Sequence, residues 1–145
     1  VVVFSCNTCP FVLQWEDRFS EIKAWADKYK VGMVVVNSNH QKRSGSESLE
    51  AMKEHAAEKG YNYYYAFDEN SLLANAFAGE TTPHAFLFDS NLELAYKGAI
   101  DDNYKSAEEV NKAYLKDAIS SLGNGKKVAI AVTKPVDCGI ERKME

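Results

Sequence analysis

The chain has 145 residues, 46% of them hydrophobic, with a net charge of −4 and an isoelectric point near 5.4. That is apolar material for one ordinary domain with a real core, and the acidic balance supplies no basic footprint for nucleic acid. Its longest apolar runs, Val1–Phe4 and Met33–Val36, fall far short of the ~20 residues of a membrane-spanning helix, and three cysteines are too few to staple a small scaffold.

Val1–Ser5 is a β-branched run that reads as a buried strand. Val1 already lies inside that run, so the polypeptide is expected to extend further toward its N-terminus, where any leader or anchor would sit. From Phe11 the apolar residues Val12, Trp15, Phe19, Ile22, Trp25, Ala26 and Tyr29 recur at helical steps, predicting one helix that ends near Gly32. Met33–Val36 reads as a second buried strand, followed by the polar stretch 37–45. Ser46–Lys59 predicts a helix with Leu49, Met52 and Ala56 inward and Gly60 as its stop. Tyr61–Phe67 reads as a short strand and Ser71–Phe77 as a short helix. Ala85–Phe88 and Leu92–Lys97 flank Asp89-Ser-Asn91, which is turn chemistry for an antiparallel hairpin. Ser106-Ala-Glu-Glu109 has the spacing of a capping box and predicts a helix running to Gly123. A last apolar run, Val128–Val132, precedes Pro135.

Parallel strands joined by helices, closed by a hairpin and a helix, predict a three-layer α/β/α sandwich around a mixed sheet. The expectation is a single domain over 1–145, with 123–145 as a C-terminal extension packed on it.

Cys6-Asn7-Thr8-Cys9 sits at the join of the first strand and first helix. Unpaired amides and the helix dipole at that entrance favour an anion, so Cys6 is expected to carry a lowered pKa and act as nucleophile. Cys9, expected to be the more buried, would resolve the mixed disulfide. Pro10 fits a first helical turn, which needs no amide hydrogen there. A zinc site would need four clustered ligands, and His40, His55, His84 and Cys138 are scattered, so no metal is expected. A purely structural Cys6–Cys9 link would close too short a loop to stabilise much. Cys138 has no assigned mate; a buried inert thiol, a third redox thiol and an intermolecular link all stay open.

Cys6-Asn-Thr-Cys9 after an apolar strand, Thr82-Pro83 heading a Phe-rich strand, and Leu94-Ala-Tyr-Lys-Gly98 together resemble the thioredoxin-like superfamily. The branch they resemble holds the thiol–disulfide oxidoreductases and peroxiredoxin-like proteins of the redoxin type, with a Cys-Asn-x-Cys-Pro start. The tail of that subgroup, Pro-x-x-Cys-x-Ile, is matched by Pro135-Val-Asp-Cys138-Gly-Ile140, with the glycine arranged differently. The resemblance implies a cis Thr82–Pro83 bond facing the C-x-x-C, where Thr82 and Pro83 dock an extended substrate segment.

Two rival functions remain beside thiol–disulfide exchange. A thiol peroxidase of antioxidant type would need the peroxiredoxin Pro-x-x-x-Thr-x-x-Cys motif, and neither cysteine keeps it. A redox-inert binding domain is argued against by the intact C-x-x-C. Accessory candidates are Asn7 and Thr8 between the cysteines, Asn37 and Asn39 at the same sheet end, and His84, whose imidazole would stabilise a thiolate if charged. No cofactor is implied. The expected partners are protein dithiols and disulfides, without nucleic acid or membrane contact from this chain, and an extracytoplasmic bacterial setting is slightly favoured. Oligomeric state stays open.

Overall fold

The computed structural model describes residues 1–135 and 138–143. In chain order its first half holds β1 (Val2–Ser5), α1 (Pro10–Trp15), α2 (Phe19–Lys28), β2 (Val34–Asn37), α3 (Leu49–Lys59) and β3 (Tyr64–Phe67). Then come α4 (Leu72–Phe77), β4 (Thr81–Thr82), β5 (His84–Phe88), β6 (Leu94–Gly98), α5 (Tyr114–Gly123) and β7 (Cys138–Gly139). One sheet has the order β3-β2-β1-β5-β6, and β4 pairs with β7 in a second, two-stranded ribbon. β1, β2 and β3 are parallel, with Val3 opposite Val35 and Val35 opposite Tyr65; β5 is antiparallel to both β1 and β6.

Strand alternation splits the core in two. Val3, Val35, Ala85 and Leu87 face one way and pack with Trp15, Phe19, Ile22 and Ala26 of the first helices and with Leu115, Ala118 and Ile119 of α5. Phe4, Val36 and Phe86 face the other way, against Ala74 of α4 and Ile140 of the tail. The mixed α/β sandwich expected from the sequence is therefore the architecture found.

The long first helix is not continuous. Glu16–Arg18 form a 3₁₀ turn between α1 and α2. Three-residue spacing in such a turn eclipses side chains, and here it aims Trp15 and Arg18 at one acid. Trp15 Nε1 donates to Asp101 Oδ1 at 2.8 Å, and Arg18 Nη1 donates to Asp101 Oδ2 at 2.8 Å. Within the charged triplet Glu16-Asp17-Arg18, Glu16 and Arg18 are buried.

Three other boundaries moved for local reasons. The helix after β2 starts at Leu49 because Ser48, not Ser46, is its N-cap and accepts from the Ala51 amide at 3.0 Å. Leu49, expected inward, is 45% exposed, whereas Met52 is buried. The Ser106–Glu109 capping box opens no helix, and α5 begins at Tyr114. In the preceding stretch Asn103 Oδ1 accepts from the amides of Lys105 and Ser106, and Asp102 Oδ1 from that of Asn111. Such side-chain turns compete directly with helix formation. β6 begins at Leu94, since Asp89 Oδ1 accepts from the amides of Asn91 and Glu93 and extends the turn.

The extension lies on β6. Lys97 donates its amide to Ala131 O, and the Thr133 amide donates to Lys97 O, each at 3.0 Å. Gly98 permits this approach: its φ is +146°, and a Cβ there would lie 2.5 Å from the Thr133 carbonyl oxygen.

The Arg18–Asp101 pair is buried on both sides. Removing one member of such a pair strands the other charge, at about 3–5 kcal/mol. Asp101→Ala is expected to lose that much stability in urea titration, whereas Glu50→Ala, whose Lys53 partner is exposed, should change it by less than about 1 kcal/mol.

Candidate functional site

β1 ends at Ser5, and the chain turns through Cys6-Asn-Thr to reach α1, which has Cys9 at its N-cap. β5 is antiparallel to β1, so its beginning lies at the same sheet end, with Phe4 opposite His84. That registration brings Thr82 against both cysteines. Cys6 Sγ lies 3.7 Å from Thr82 Oγ1, and Cys9 Sγ lies 3.4 Å from the Thr82 carbonyl oxygen. The Cys9 amide donates to Cys6 Sγ at 3.1 Å. The Thr82–Pro83 peptide bond is cis.

The cysteine pairing differs from the expectation. Cys9 forms a disulfide with Cys138, with Cα atoms 6.2 Å apart, and Cys6 is a free thiol. The tail supplies the reason: β7 pairs with β4 in the register Thr82 opposite Cys138, which carries the third cysteine to the Cys9 side of Thr82. Cys6, Cys9 and Val12 form one small apolar cluster, and Cys138 packs against it. The burial order is also reversed, since Cys6 is 1% exposed and Cys9 5%.

Nor is the Cys6 thiol acidified. Burial, and after it the negative charge of Glu47, push its pKa up to about 11, outweighing the Thr82 hydroxyl and the amides of Cys9 and Thr8 that favour the thiolate. The expected helix dipole is weak because α1 has only six residues. Near neutral pH this thiol is therefore protonated.

Glu47 is the residue that sequence reasoning missed. It is 0% exposed. Its Oε1 accepts from the Asn7 amide at 2.8 Å, and its Oε2 from Asn37 Nδ2 at 3.0 Å and Asn39 Nδ2 at 3.4 Å. Desolvation raises its pKa, with those donors and Arg43 pulling the other way. Nothing in Ser44-Gly-Ser-Glu47-Ser marks a buried acid; the signal was the cluster of amides after β2, which needed a common acceptor.

Several accessory candidates have structural duties here. The Asn7 side chain donates to Ser46 O and accepts from Tyr65 OH, each within 2.9 Å. Asn37 is wholly enclosed, and its Oδ1 accepts from Arg43. Asn39 Oδ1 accepts from the Glu141 amide of the tail at 3.1 Å. Thr8 is exposed. His84 is not a charged neighbour of the thiol: burial pushes its pKa down to about 4, and its Nδ1 accepts from the Glu80 amide at 3.3 Å.

No protein-family model matches the chain, and no curated protein matches it. Among solved structures, an uncharacterised conserved protein from Geobacillus kaustophilus is 30% identical, with a TM-score of 0.85, covering 99% of this chain and 77% of that one. The chain belongs to the family of that protein. A hypothetical protein from Sinorhizobium meliloti 1021 is 27% identical, with a TM-score of 0.89 over 99% of this chain and 79% of its own. More distant in sequence is a putative thiol:disulfide interchange protein, DsbE, from Chlorobium tepidum, at 20% identity and a TM-score of 0.55, covering 66% of this chain and 63% of that one. A thioredoxin-like protein solved in its oxidised form is 17% identical, with a TM-score of 0.61 over 86% of this chain and 78% of its own. These two likenesses show the fold of the chain: it is thioredoxin-like.

Glu47 offers a direct handle on the thiol. Alkylation of Cys6 in the wild type is expected to speed up roughly tenfold per pH unit from neutrality until the thiol ionises near pH 11. Glu47→Gln removes the repelling charge, so the midpoint of the alkylation–pH profile should move to lower pH; a profile that stays in place would mean Glu47 acts on the fold alone.

Proposed function

We propose that the chain is a thiol–disulfide oxidoreductase whose reactive centre is Cys6, Cys9 and the Thr82-Pro83 turn. The observation that supports this most is the contact of a free thiol and a disulfide sulfur with the same residue, Thr82. Thiol–disulfide exchange needs a thiol that can ionise and a disulfide beside it, and a thiol and a disulfide both lie against Thr82 here.

Cys9 is the sulfur presented to a partner, because in the oxidised chain it is the one bonded to a second cysteine, that of the tail; the cycle starts with all three cysteines reduced. A Cys9 thiolate attacking a substrate disulfide forms the Cys9–substrate bond and expels the other substrate sulfur. Cys6, having lost its proton, then attacks Cys9 Sγ. The Cys6–Cys9 disulfide forms, the Cys9–substrate bond breaks, and the departing substrate sulfur takes a proton. Two electrons have passed to the substrate, and a protein dithiol returns them to the pair. In the opposite direction the same steps oxidise a substrate. This reverses the division of labour expected from the sequence: Cys9 attacks and holds the partner, and Cys6 resolves the mixed disulfide.

The amide of Cys9 lies where negative charge gathers on Cys6 sulfur during that attack. Glu47 opposes it, so the resting thiol is kept protonated near neutral pH.

The test is disulfide reduction of insulin with dithiothreitol as reductant, run beside peroxide consumption. Wild type is expected to turn insulin over, and Cys6→Ser and Cys9→Ser to fall to the uncatalysed rate, with peroxide consumed slowly by all three. Rapid peroxide consumption with negligible insulin reduction would replace this reading with a thiol peroxidase.

A further inference from the structure

We infer that the tail strand from Cys138 to Arg142 is a resident substrate mimic, and that the substrates are extended segments reading cysteine, any residue, branched aliphatic, any residue, base. This rests on the exchange reading above and specifies its substrate class.

The tail lies on the site as an added strand. Cys138 stands opposite Thr82 and Gly139 opposite Thr81, antiparallel, immediately before the cis-proline. Thr82 Oγ1 donates to the Cys138 carbonyl at 3.3 Å, and the Ile140 amide donates to Glu80 O at 3.1 Å. Backbone bonding of this kind accepts any sequence, so discrimination falls to the inward side chains.

Those side chains follow a period of two. Cys138 reaches Cys9, and Ile140 enters a socket formed by Phe4, Val36, Ala74 and Phe86. At the socket wall, a Cβ added to Gly79 would come within 3.5 Å of Ile140 Cδ1 and 3.1 Å of the Phe4 ring. Arg142 Nε donates to Asn75 Oδ1 at 2.8 Å, and its Nη2 to the carbonyls of Ala74 and Gly79. The Ala74 carbonyl lies within α4 and that of Gly79 just past its C-cap, so the two present paired acceptors to a cation. Gly139 is exposed, and the half-buried Glu141 pairs with Lys42 at 3.2 Å in a solvent-accessible contact of the kind that contributes little.

The internal exchange that empties the site balances without any added reagent. Cys6 thiolate attacks Cys9 Sγ, the Cys9–Cys138 bond breaks as Cys6–Cys9 forms, and the proton lost by Cys6 is taken by the Cys138 sulfur. The strand is then held by its side-chain and backbone contacts alone, and an incoming segment competes for the same edge.

The test uses the full-length Cys138→Ser protein, reduced, which keeps Cys6 and Cys9. Two peptides are offered, each with its cysteine linked to 2-nitro-5-thiobenzoate: Val-Asp-Cys-Gly-Ile-Glu-Arg, and the same peptide with Ile replaced by Asp and Arg by Glu. Attack by Cys9 joins the peptide to the protein and releases the coloured thiolate. The first peptide is expected to react at least about tenfold faster, the scale of burying one aliphatic side chain. Adding Ile140→Asp to the protein should unseat the tail and accelerate the first peptide. Equal rates for the two peptides would overturn the substrate assignment while leaving the exchange chemistry standing. No release from either peptide, while free thionitrobenzoate disulfide still titrates both thiols, would overturn the exchange reading and the assignment with it.

Discussion

A covalent bond between residues 129 positions apart sets the geometry of the sulfur site. By joining the first helical turn to the tail, Cys9–Cys138 converts a short, marginal two-residue pairing, β4 with β7, into a fixed lid strand. A cross-link over so long a loop removes much of the freedom of the unfolded chain, by about 4.7 kcal/mol at a hundred residues in the entropy model. The same bond withholds Cys9 from Cys6 and leaves the latter as a solitary thiol in an apolar pocket.

Around that thiol the protein spends its polar groups on one carboxylate. A charge buried without partners is very costly, and Glu47 is held by a backbone amide and two asparagine side chains, with Arg43 near by. Asn39 links this cage to the tail through Glu141, so the acid that opposes ionisation of Cys6 and the strand that covers it are parts of one hydrogen-bonded assembly. The burial that protects the thiol and the charge that restrains it act in the same direction.

The strands, the hairpin and the two-faced core were readable because β-branched runs and alternation report burial directly. The C-x-x-C position was readable from the join of strand and helix, and the Thr82-Pro83 turn through the family resemblance. Other features depend on partners far away in the chain. The 3₁₀ turn at Glu16–Arg18 exists to serve Asp101, and the unused capping box at Ser106 lost to turns made by Asp102 and Asn103. The mate of Cys9 could not be read from spacing, since three cysteines admit several pairings and only the folded tail chooses one. Charge balance likewise hides Glu47, whose neighbours in sequence are small and polar.

The clasp of Thr133 over Gly98 also gives the sheet a direction. On that flank, Val132 bridges to Lys97 and blunts the rim where another chain would otherwise add a strand. The opposite flank, β3, pairs with β2 alone among the described residues and presents Tyr64 at 80% exposure. Any lateral growth of this sheet is therefore one-sided, and two copies meeting there would close the assembly instead of propagating it.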